Sequence, residues 1–506
     1  MFAKLLGETT FGIDGVVVTV EVDINNGLPK FEVVGLPTTA VKEARERVKS
    51  AISNSGYVFP MNNLVINLAP ADLKKEGSTL DLAMAVGVLV ANGQEISQAD
   101  VLDKIFIGEL SLDGGIRKVS GVLPMVMEAK KQGYREIFIP VDNAAEGKLI
   151  SGIDVYAVRT LSELVAHLSA TYPLQPLPKE NILSNIERAY SVDFADVKGQ
   201  PVARRALEIA AAGGHSILMV GSPGCGKTML ARRLVTIMPP MTEAEALEVT
   251  KIYSVSGELG DKGLMVERPF RSPHHSTSSN ALLGGGTIPR PGEVTLSHNG
   301  VLFLDELPEF ERSTLEMLRQ PLEDGEVNIS RVKAQMCFPS KFLLVAAQNP
   351  CPCGYLGDPV HQCSCKPKDI ENYHHKISGP LLDRIDMQIN LVRVEFNELQ
   401  NKAPGESSAD IRKRVIAARN IQLQRLTGTG FYCNAQMGRR EVEKFCELDE
   451  TAAKMLEKYF GALHLSARSH DRVLKVARTI ADLDKSTNIQ AKHIAEAIQL
   501  RTNISA

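Results

Sequence analysis

An eight-residue segment in the middle of the chain constrains the fold more than any other feature. Residues 221–228 fit the phosphate-loop pattern GxxxxGK(S/T) at every defined position. The loop consists of Gly221, Ser222, Pro223, Gly224, Cys225, Gly226, Lys227 and Thr228. An apolar run at 216–220 predicts a strand before the loop, and 229–235 predicts a helix after it. This order favours a phosphate site over a chance glycine-rich turn, because backbone N–H groups and the helix dipole converge on an anion.

Further polar groups that a nucleotide site needs are present in the expected order. Lys227 is expected to reach the β- and γ-phosphates of ATP, and Thr228 to bind Mg²⁺. The apolar residues 301–304 predict a buried strand that ends at Asp305 and Glu306, at the carboxyl edge of a parallel sheet, where ligands bind in such folds. Asp305 would hold Mg²⁺, directly or through water, and Glu306 would orient and activate the attacking water.

The pattern of apolar and polar residues divides the chain into four parts. A chain of 506 residues is too long for one core, so several domains are expected. Residues 1–170 predict a mixed α/β domain, and the proline-containing stretch 171–190 predicts a linker. Residues 191–395 alternate strands with helices, as a parallel sheet with crossovers requires. Residues 396–506 predict an almost wholly helical region.

Within the first part, six elements are predicted, among them a helix at 41–52 that Gly56 would end. Apolar or β-branched runs predict strands at 16–22, 64–68, 105–108 and 137–140. Helical spacing predicts a helix at 122–131. The residues therefore predict the α/β fold class for the first part and for 191–395, followed by a helical region at 396–506.

Charge and hydropathy exclude some classes of protein. The formal net charge is −3, so the whole chain is not a basic nucleic-acid binder, and any DNA contact must come from a local patch, a loop or a pore lining. No apolar run approaches the roughly 20 residues that span a bilayer, and the first residues do not resemble a signal peptide. We expect a cytoplasmic protein without membrane contact.

Four of the eight cysteines cluster in two CxC pairs, Cys351 with Cys353 and Cys363 with Cys365. Four thiolates satisfy tetrahedral Zn²⁺, and a short loop without its own core gains order from a metal. Four unligated thiols in a reducing cytosol are the alternative. His361 and His374 are spare donors that could replace a cysteine. Cys225 is an ordinary thiol or an oxidisable one, since a helix N-terminus can lower a thiol pKa.

The order of the motifs resembles that of AAA+ ATPases. The phosphate loop corresponds to Walker A and the Asp305–Glu306 pair to Walker B. A third predicted strand, 342–346, leads to Asn349, which matches the sensor-1 residue and is placed to touch the γ-phosphate or the attacking water. The resemblance implies a P-loop AAA+ core with a parallel sheet and a C-terminal helical lid, with ATP and Mg²⁺ as cofactors.

Three shorter segments narrow the resemblance. Residues 268–276 (RPFRSPHHS), 284–286 (GGG) and 379–386 (GPLLDRID) are similar to the magnesium-chelatase ATPase subunit. With the N-terminal domain and the segment 349–355 (NPCPCGY), the whole chain resembles the ComM/YifB family. That resemblance implies a homo-hexameric ring that moves single-stranded or branched DNA, as a branch-migration helicase in natural transformation or homologous recombination. Recombination or DNA-uptake proteins are then expected partners. A chelatase-type ATPase that remodels a protein partner is the alternative.

The resemblance also assigns arginines to the site. Arg384 matches the arginine finger, which would neutralise phosphoryl charge in a neighbouring subunit. A solvent-facing structural arginine is the alternative. Arg468 matches the sensor-2 arginine, and Arg472 is close enough in sequence to take that role instead.

Two segments could line the pore of a ring. The first spans 267–299 and carries Arg268, Arg271, His274, His275 and Arg290. The second spans 324–341, is predicted to form a hairpin, and carries Arg331, Lys333 and Lys341. Basic loops that converge in a ring would form a positive channel for a nucleic-acid backbone. Subunit contacts are the equally weighted alternative for these residues.

Residues 1–170 resemble the proteolytic domain of Lon proteases, a ribosomal S5 domain 2-like α/β fold. The matching pieces are 75–79, 108–112 and 137–140. Lon chemistry needs a serine activated by a lysine amine. The nucleophile position falls on Thr79, beside Ser78, and the lysine region falls on 122–125, which contains no lysine; Lys118 or Lys130 would have to approach in space. We expect a scaffold without the catalytic dyad, and ATP-dependent proteolysis as the least favoured function.

Overall fold

The computed structural model describes most of the chain as two units. The residues it describes are 1–75, 77–179, 190–260, 262–286, 289–331, 334–394, 405–462 and 466–502. The first unit comprises Met1–Ile186 and Thr242–Val266, and the second comprises Glu187–Met241 and Glu267–Ala506. Of the predicted linker at 171–190, residues 173–179 form neither helix nor strand, and 180–189 lie outside the described residues.

The first unit is built on a mixed seven-stranded sheet. Its strand order is β3-β4-β2-β1-β5-β8-β9, and β6 pairs with β7 as a small separate ribbon. The strands are β1 (Phe2–Phe11), β2 (Asp14–Asn25), β3 (Lys30–Val34), β4 (Asn63–Ala69), β5 (Lys104–Phe106), β6 (Glu109–Leu110), β7 (Ile116–Arg117), β8 (Glu136–Pro140) and β9 (Asp154–Val158). Burial alternates along β2 and β4, because one face of the sheet lies on the core. The four predicted strands are confirmed with small shifts at their ends.

Helices cover this sheet. They are α1 (Thr39–Asn54), α2 (Asp81–Ala91), α3 (Val122–Lys131), α4 (Ala144–Gly147) and α5 (Leu161–Leu168). Every residue of α2 is buried, which suits a sequence that carries no polar side chain after Asp81. The predicted bounds of α3 match the observed ones.

The second unit contains a five-stranded sheet in which every pairing is parallel. Its strand order is β11-β14-β17-β10-β18. The strands are β10 (Ile217–Gly221), β11 (Phe270–Arg271), β14 (Val301–Leu304), β17 (Leu343–Gln348) and β18 (Met387–Leu391). Two antiparallel hairpins accompany the sheet, namely β12 (Gly284–Gly285) with β13 (Arg290–Pro291) and β15 (Glu326–Arg331) with β16 (Ala334–Pro339). All residues of β10, β14 and β17 are buried, as expected for a sheet covered on both faces.

The helices of the second unit share a core with this sheet. Those before the lid are α6 (Pro201–Gly213), α7 (Lys227–Ile237), α9 (Ser279–Leu283), α10 (Glu293–Leu296), α11 (Arg312–Met317), α12 (Arg319–Asp324), α13 (Pro367–His375) and α14 (Gly379–Leu382). The C-terminal helices are α15 (Ser408–Arg425), α16 (Arg439–Phe445), α17 (Glu450–Ala462), α18 (Ala467–Leu483) and α19 (Ala491–Thr502). One cluster of buried residues joins Ile217 and Phe303 of the sheet to Val415, Val473 and Ile494 of these helices.

The segment Thr242–Val266 was expected in the second part of the chain but packs with the first unit. Its helix α8 (Glu243–Ser256) packs on α3, and Leu247 contributes to the apolar core around that helix. The Ser254 carbonyl accepts a hydrogen bond of 2.9 Å from the Gly121 N–H. Lys251 forms an ion pair with Asp14. Among the described residues, no helix is both long and apolar enough to cross a bilayer.

Candidate active site

The phosphate loop connects β10 to α7 as predicted. Gly224 and Gly226 adopt φ values of +81° and +94°, a left-handed conformation that glycine tolerates best. A side chain at Gly221 would stand 2.7 Å from the Cys225 Sγ and 2.9 Å from the Leu391 carbonyl, so the loop also needs a glycine there. Burial raises the pKa of the Cys225 thiol, which favours the ordinary thiol over the oxidisable one.

Lys227 lies inside this loop at the start of α7. Its Nζ donates to the Gly221 and Ser222 carbonyls and, at 3.0 Å, to the Asn349 Oδ1. Burial lowers the pKa of Lys227, while the nearby carboxylates of Asp305 and Glu306 act in the opposite direction. The ammonium group is therefore held among oxygen acceptors, a position from which it can bind phosphate oxygens instead.

The strands β14 and β17 bring the predicted carboxylates and Asn349 to the same edge as the loop. β17 lies between β14 and β10, and all three run parallel. The Thr228 Oγ1 donates to the Asp305 Oδ2 at 2.7 Å. A hydroxyl and a carboxylate in contact are the oxygen ligands that Mg²⁺ prefers. Asp305 also accepts from the Glu306 N–H at 3.0 Å.

Glu306 occupies a turn with a left-handed backbone, at φ +51°. Its Oε2 lies 3.3 Å from the Nδ1 of His275, which comes from the loop after β11. The His275 ring in turn contacts the His274 ring, with centroids 4.0 Å apart and planes tilted by 36°. Sequence reasoning placed His275 in the pore or in a subunit contact and missed its contact with Glu306, because 31 positions separate the histidine from the glutamate.

Two of the basic residues expected in the pore or in subunit contacts form hydrogen bonds within the chain. Arg268 donates to the carbonyls of Pro239 and Asn299 at 2.7 and 2.6 Å. Arg271 forms a two-point ion pair with Glu293, at 2.6 and 2.7 Å. Both arginines therefore have a structural role within the chain. Arg290 is exposed.

The second pore segment forms a hairpin, as predicted, from β15 and β16. Lys341 follows it, is exposed, and lies 5.8 Å from the centre of the Tyr432 ring. Arg331 belongs to β15, and Lys333 lies outside the described residues.

Arg384 lies at the amino ends of the sheet strands, opposite to the ends from which the phosphate loop and the carboxylates follow. β18 pairs with β10 so that Met387 faces Ile217, and the Arg384 carbonyl accepts from the Ser216 hydroxyl at 3.1 Å. Arg384 is thus at the amino edge of β10, whereas the phosphate loop leaves the carboxyl edge. Its guanidinium forms an ion pair with Glu323 and donates to the Pro380 carbonyl.

Arg468 and Arg472 lie at this amino edge as well. The hydrogen bond from Arg384 lowers the pKa of Glu323, and the charges of Arg468 and Arg472 act in the same direction. Arg472 is 3.6 Å from the Asp386 carboxylate, whereas Arg468 is exposed at the start of α18. We call Arg384, Arg468 and Arg472 the arginine cluster.

The four clustered cysteines converge as predicted. Their Sγ atoms lie within 4.8 Å of one another, a group that can hold a metal ion. The Sγ distances are 3.4 Å between Cys351 and Cys353, 3.7 Å between Cys351 and Cys363, and 3.6 Å between Cys353 and Cys363. Backbone hydrogen bonds from Tyr355 and Ser364 lower the pKa of Cys353 to about 6. The spare donor His361 instead pairs with Asp358, at 3.5 Å.

The loop between these cysteines, residues 351–365, touches the phosphate loop. A side chain at Gly354 would stand 2.8 Å from two ring carbons of Pro223. Hydrogen bonds from His361 and Val360 lower the pKa of Asp358 to about 2, and the Ser222 hydroxyl contributes to the same shift. We call residues 351–365 the cysteine loop.

The residues that match the Lon nucleophile region lie in the first unit. The Thr79 hydroxyl is buried without a hydrogen-bond partner among the described residues, and Ser78 bonds to Glu109. Lys118 donates to the Gly260 carbonyl at 2.9 Å. Lys75 is fully buried, its Nζ donates to the Pro70 carbonyl, and burial lowers its pKa. Sequence reasoning missed this buried lysine because its segment reads as polar.

Comparisons with known proteins agree with the resemblance. Three family models of the magnesium-chelatase subunit ChlI match this chain at 20–143, 193–399 and, for the ChlI C-terminal model, 405–501. Competence protein ComM of Haemophilus influenzae is 44% identical over 99% of this chain and 98% of its own length. The YifB protein of Escherichia coli is 44% identical over 97% of this chain and 95% of its own length.

A more distant likeness concerns part of the chain. Lon protease 2 of Bacillus subtilis is 26% identical over 160 residues, which is 30% of this chain and 28% of that protein. The predicted fold class is confirmed, with a mixed α/β first unit, a parallel-sheet nucleotide-binding core and C-terminal helices. Identity over nearly the full length establishes the family. The chain therefore belongs to the ComM/YifB family of magnesium-chelatase-like AAA+ ATPases.

Proposed function

We propose that this protein is an ATP-hydrolysing motor that works as a homo-hexameric ring and remodels DNA, by branch migration in natural transformation or homologous recombination. One observation supports the ring in particular. The nucleotide site and the arginine cluster lie at opposite ends of the strands of one sheet. β10 has five residues, so about 13 Å of strand separates its two ends.

An arginine at the amino edge does not complete the site of its own subunit. In a head-to-tail contact between copies, that edge of one chain meets the carboxyl edge of the next, and such contacts close into rings. Arg384 is then the finger that neutralises charge on the transferring phosphoryl group of the neighbour. Arg468 is the second arginine offered to the neighbour, because Arg472 is engaged by Asp386.

The DNA substrate is supported by the name of the Haemophilus relative and by exposed basic groups. That relative is a competence protein, which refers to natural transformation. Arg290 and Lys341 are exposed in the two predicted pore segments. Basic side chains of this kind, repeated around a ring, would form a channel for a nucleic-acid backbone. Recombination or DNA-uptake proteins are the partners that this function requires.

An ATPase assay with and without DNA tests the proposal. We expect single-stranded DNA or a four-way junction to raise the hydrolysis rate of the native chain. Glu306→Gln should bind ATP without hydrolysing it, and Lys227→Ala should lose nucleotide binding. Binding of neither DNA, with no change in rate, would remove DNA from the proposal and leave the ATPase.

The second candidate is a chelatase-type ATPase that remodels a protein partner. It is favoured by the match of three magnesium-chelatase models to 20–143, 193–399 and 405–501. This function predicts stimulation of hydrolysis by a protein and not by DNA. Proteolysis is the weakest candidate, and casein cleavage that is lost in Thr79→Ala would restore it.

We also propose that the clustered cysteines hold Zn²⁺. A tetrahedral site with Zn–S bonds of about 2.3 Å places its sulfurs about 3.8 Å apart. The Sγ distances of 3.4 to 3.7 Å are close to that value. Metal analysis of untagged protein should find about one zinc per chain. Less than about half an equivalent would support four unligated thiols instead.

A further inference from the structure

We propose that the four-cysteine metal centre positions the catalytic residue Asn349, so that ATP hydrolysis depends on the bound metal while nucleotide binding does not. The proposal rests on the ATPase activity and the zinc site proposed above. The chain path between Asn349 and the four-cysteine centre is short. β17 ends at Gln348, Asn349 follows it, and Cys351 comes two residues later.

Asn349 is connected to both ends of the cysteine loop: to the first end by the chain itself and to the last end through α13. Cys365, the last residue of the loop, is followed after one residue by α13. The phenol oxygen of the buried Tyr373 of α13 accepts a hydrogen bond from the Asn349 N–H. Because Cys351 and Cys365 belong to the same sulfur cluster, a bound ion would tie the end of β17 to the start of α13. Asn349 lies between these two anchors.

The side chain of Asn349 lies where such positioning matters. Its Oδ1 accepts from the Lys227 Nζ at 3.0 Å, so it lies beside the expected position of the γ-phosphate. A shift of about 1 Å at such a group is enough to lower a reaction rate strongly, since hydrolysis depends on the placement of the attacking water. Metal loss would release Cys351 and with it the end of β17.

The contact with the phosphate loop gives the centre a second point of support. Gly354 lies so close to Pro223 that a Cβ there would stand 2.8 Å from the proline ring, and the Ser222 hydroxyl lies within hydrogen-bond reach of the Asp358 carboxylate. These contacts position the cysteine loop relative to the phosphate loop. The phosphate loop keeps its own support from β10 and α7, so metal loss is expected to change hydrolysis more than binding.

The test compares ligand variants of the full chain. Cys365→Ser removes one ligand, Cys365→His restores a donor that zinc accepts, and Cys337→Ser changes an exposed thiol outside the cluster. Zinc content, kcat for ATP and the Kd of a fluorescent ATP analogue are measured for each. We expect Cys365→Ser to lose zinc and at least about tenfold in kcat, with Kd changed less than about threefold. Cys365→His and Cys337→Ser should resemble the native chain.

A double-variant cycle with Asn349→Ala separates positioning from a general structural role. If the metal acts through Asn349, its removal should lower kcat of Asn349→Ala by less than about twofold. An equal factor in both backgrounds would overturn the proposal, as would native kcat in zinc-free Cys365→Ser.

Gly354→Ala covers the case in which Cys365→Ser fails to fold. It keeps all four thiols but pushes the cysteine loop away from Pro223. It should retain zinc and lose kcat, and native kcat would overturn the proposal. If the native chain itself hydrolyses no ATP, the proposed function fails; an active native chain that is insensitive to zinc removal refutes this inference alone.

Discussion

His275 is the residue whose contact with Glu306, the proposed catalytic carboxylate, is least expected from the sequence. Its Nδ1 lies 3.3 Å from the Glu306 Oε2, so the imidazole lies against one oxygen of the carboxylate. A carboxylate oxygen covered by a side chain is less accessible to the attacking water. We predict that His275→Ala raises the DNA-free ATPase rate about two- to tenfold.

The control for this prediction is His274→Ala. The His274 ring contacts the His275 ring, and its Nδ1 hydrogen-bonds to the Ser276 hydroxyl. Steady-state phosphate release measures both variants, and the rate of His274→Ala should remain closer to that of the native chain. A lower rate in His275→Ala would show that the histidine orients Glu306 for catalysis.

Glu8 is a second informative residue, because its carboxyl group is buried and has no hydrogen-bond partner among the described residues. Burial raises its pKa well above the usual 4.5, and the charge of Glu128 adds to the shift. The folded state therefore favours the neutral acid, and stability is lost as the pH rises above the unfolded pKa and through the folded one. We predict that Glu8→Gln stabilises the protein more at pH 8 than at pH 5, by about 1–3 kcal/mol.

Urea unfolding at the two pH values measures this difference. Glu128→Gln, which removes the smaller cause of the shift, serves as the comparison and should show a smaller pH-dependent gain. An equal gain of Glu8→Gln at pH 5 and pH 8 would mean that Glu8 is uncharged throughout this range or finds a partner on ionisation.

The role of a residue is best predicted from the sequence where its partners lie close to it along the chain. The phosphate loop places its lysine and threonine within one turn, so spacing alone identifies them. Asp305 and Asn349 are predictable because parallel strands end at a common edge. The contact of His275 with Glu306 depends on how a loop folds back, and the internal roles of Arg268 and Arg271 depend on partners 22 or more positions away.

Among the elements, the C-terminal helices are held by a buried charge cluster. Asp482 of α18 is fully buried and accepts from Arg425 and Arg478 at 3.1 and 3.2 Å. Removal of the carboxylate leaves two largely buried guanidinium groups without their anion. We predict that Asp482→Ala lowers the free energy of unfolding by about 3–5 kcal/mol.

Asp484→Ala is the matched control, because this aspartate is one-third exposed and bonds to Lys492 at 2.7 Å. It should lower the free energy of unfolding by about 1 kcal/mol or less. Chemical denaturation of both variants measures the difference. Equal losses would assign the stability of these helices to apolar packing rather than to the buried carboxylate.

Elements with a helical period or a continuous apolar run are predictable, as α3 and β14 respectively illustrate. The amphipathic stripe of Ile411, Val415 and Ala418 also becomes a buried face, as its spacing indicates. The assignment of α8 to the first unit is not predictable, because its sequence carries no mark of the partner on which it packs. Which unit owns a helix is decided by long-range contacts.

For the whole molecule, the opposite placement of the nucleotide site and the arginine cluster leads to a prediction about mixed assemblies. Arg384→Ala and Glu306→Gln should each be inactive alone, while each retains ATP binding. In a mixture, an Arg384→Ala subunit can receive the intact finger of a Glu306→Gln neighbour. An equal mixture should therefore recover about a quarter of the native ATPase rate.

Phosphate release across a series of mixing ratios measures this recovery, with Lys227→Ala in place of Arg384→Ala as the control. In that mixture every nucleotide site lacks one of its own two residues, Lys227 or Glu306, so the mixture should stay inactive. No recovery in the first pair would place Arg384 in the site of its own subunit, and loss of ATP binding by Arg384→Ala alone would reject its role as a finger.

The grouping of Thr242–Val266 with the first unit has a consequence for how the protein can be divided. The backbone leaves the first unit after Ile186, returns at Thr242 and leaves again after Val266, so it passes between the units three times. A gene fragment that stops at the proline-containing stretch would encode a protein without one helix of its own core. The side chains that α8 covers, around Met125 and Val126, would then face water. Because each unit consists of two separate chain segments, neither unit can be isolated by dividing the chain at a single position.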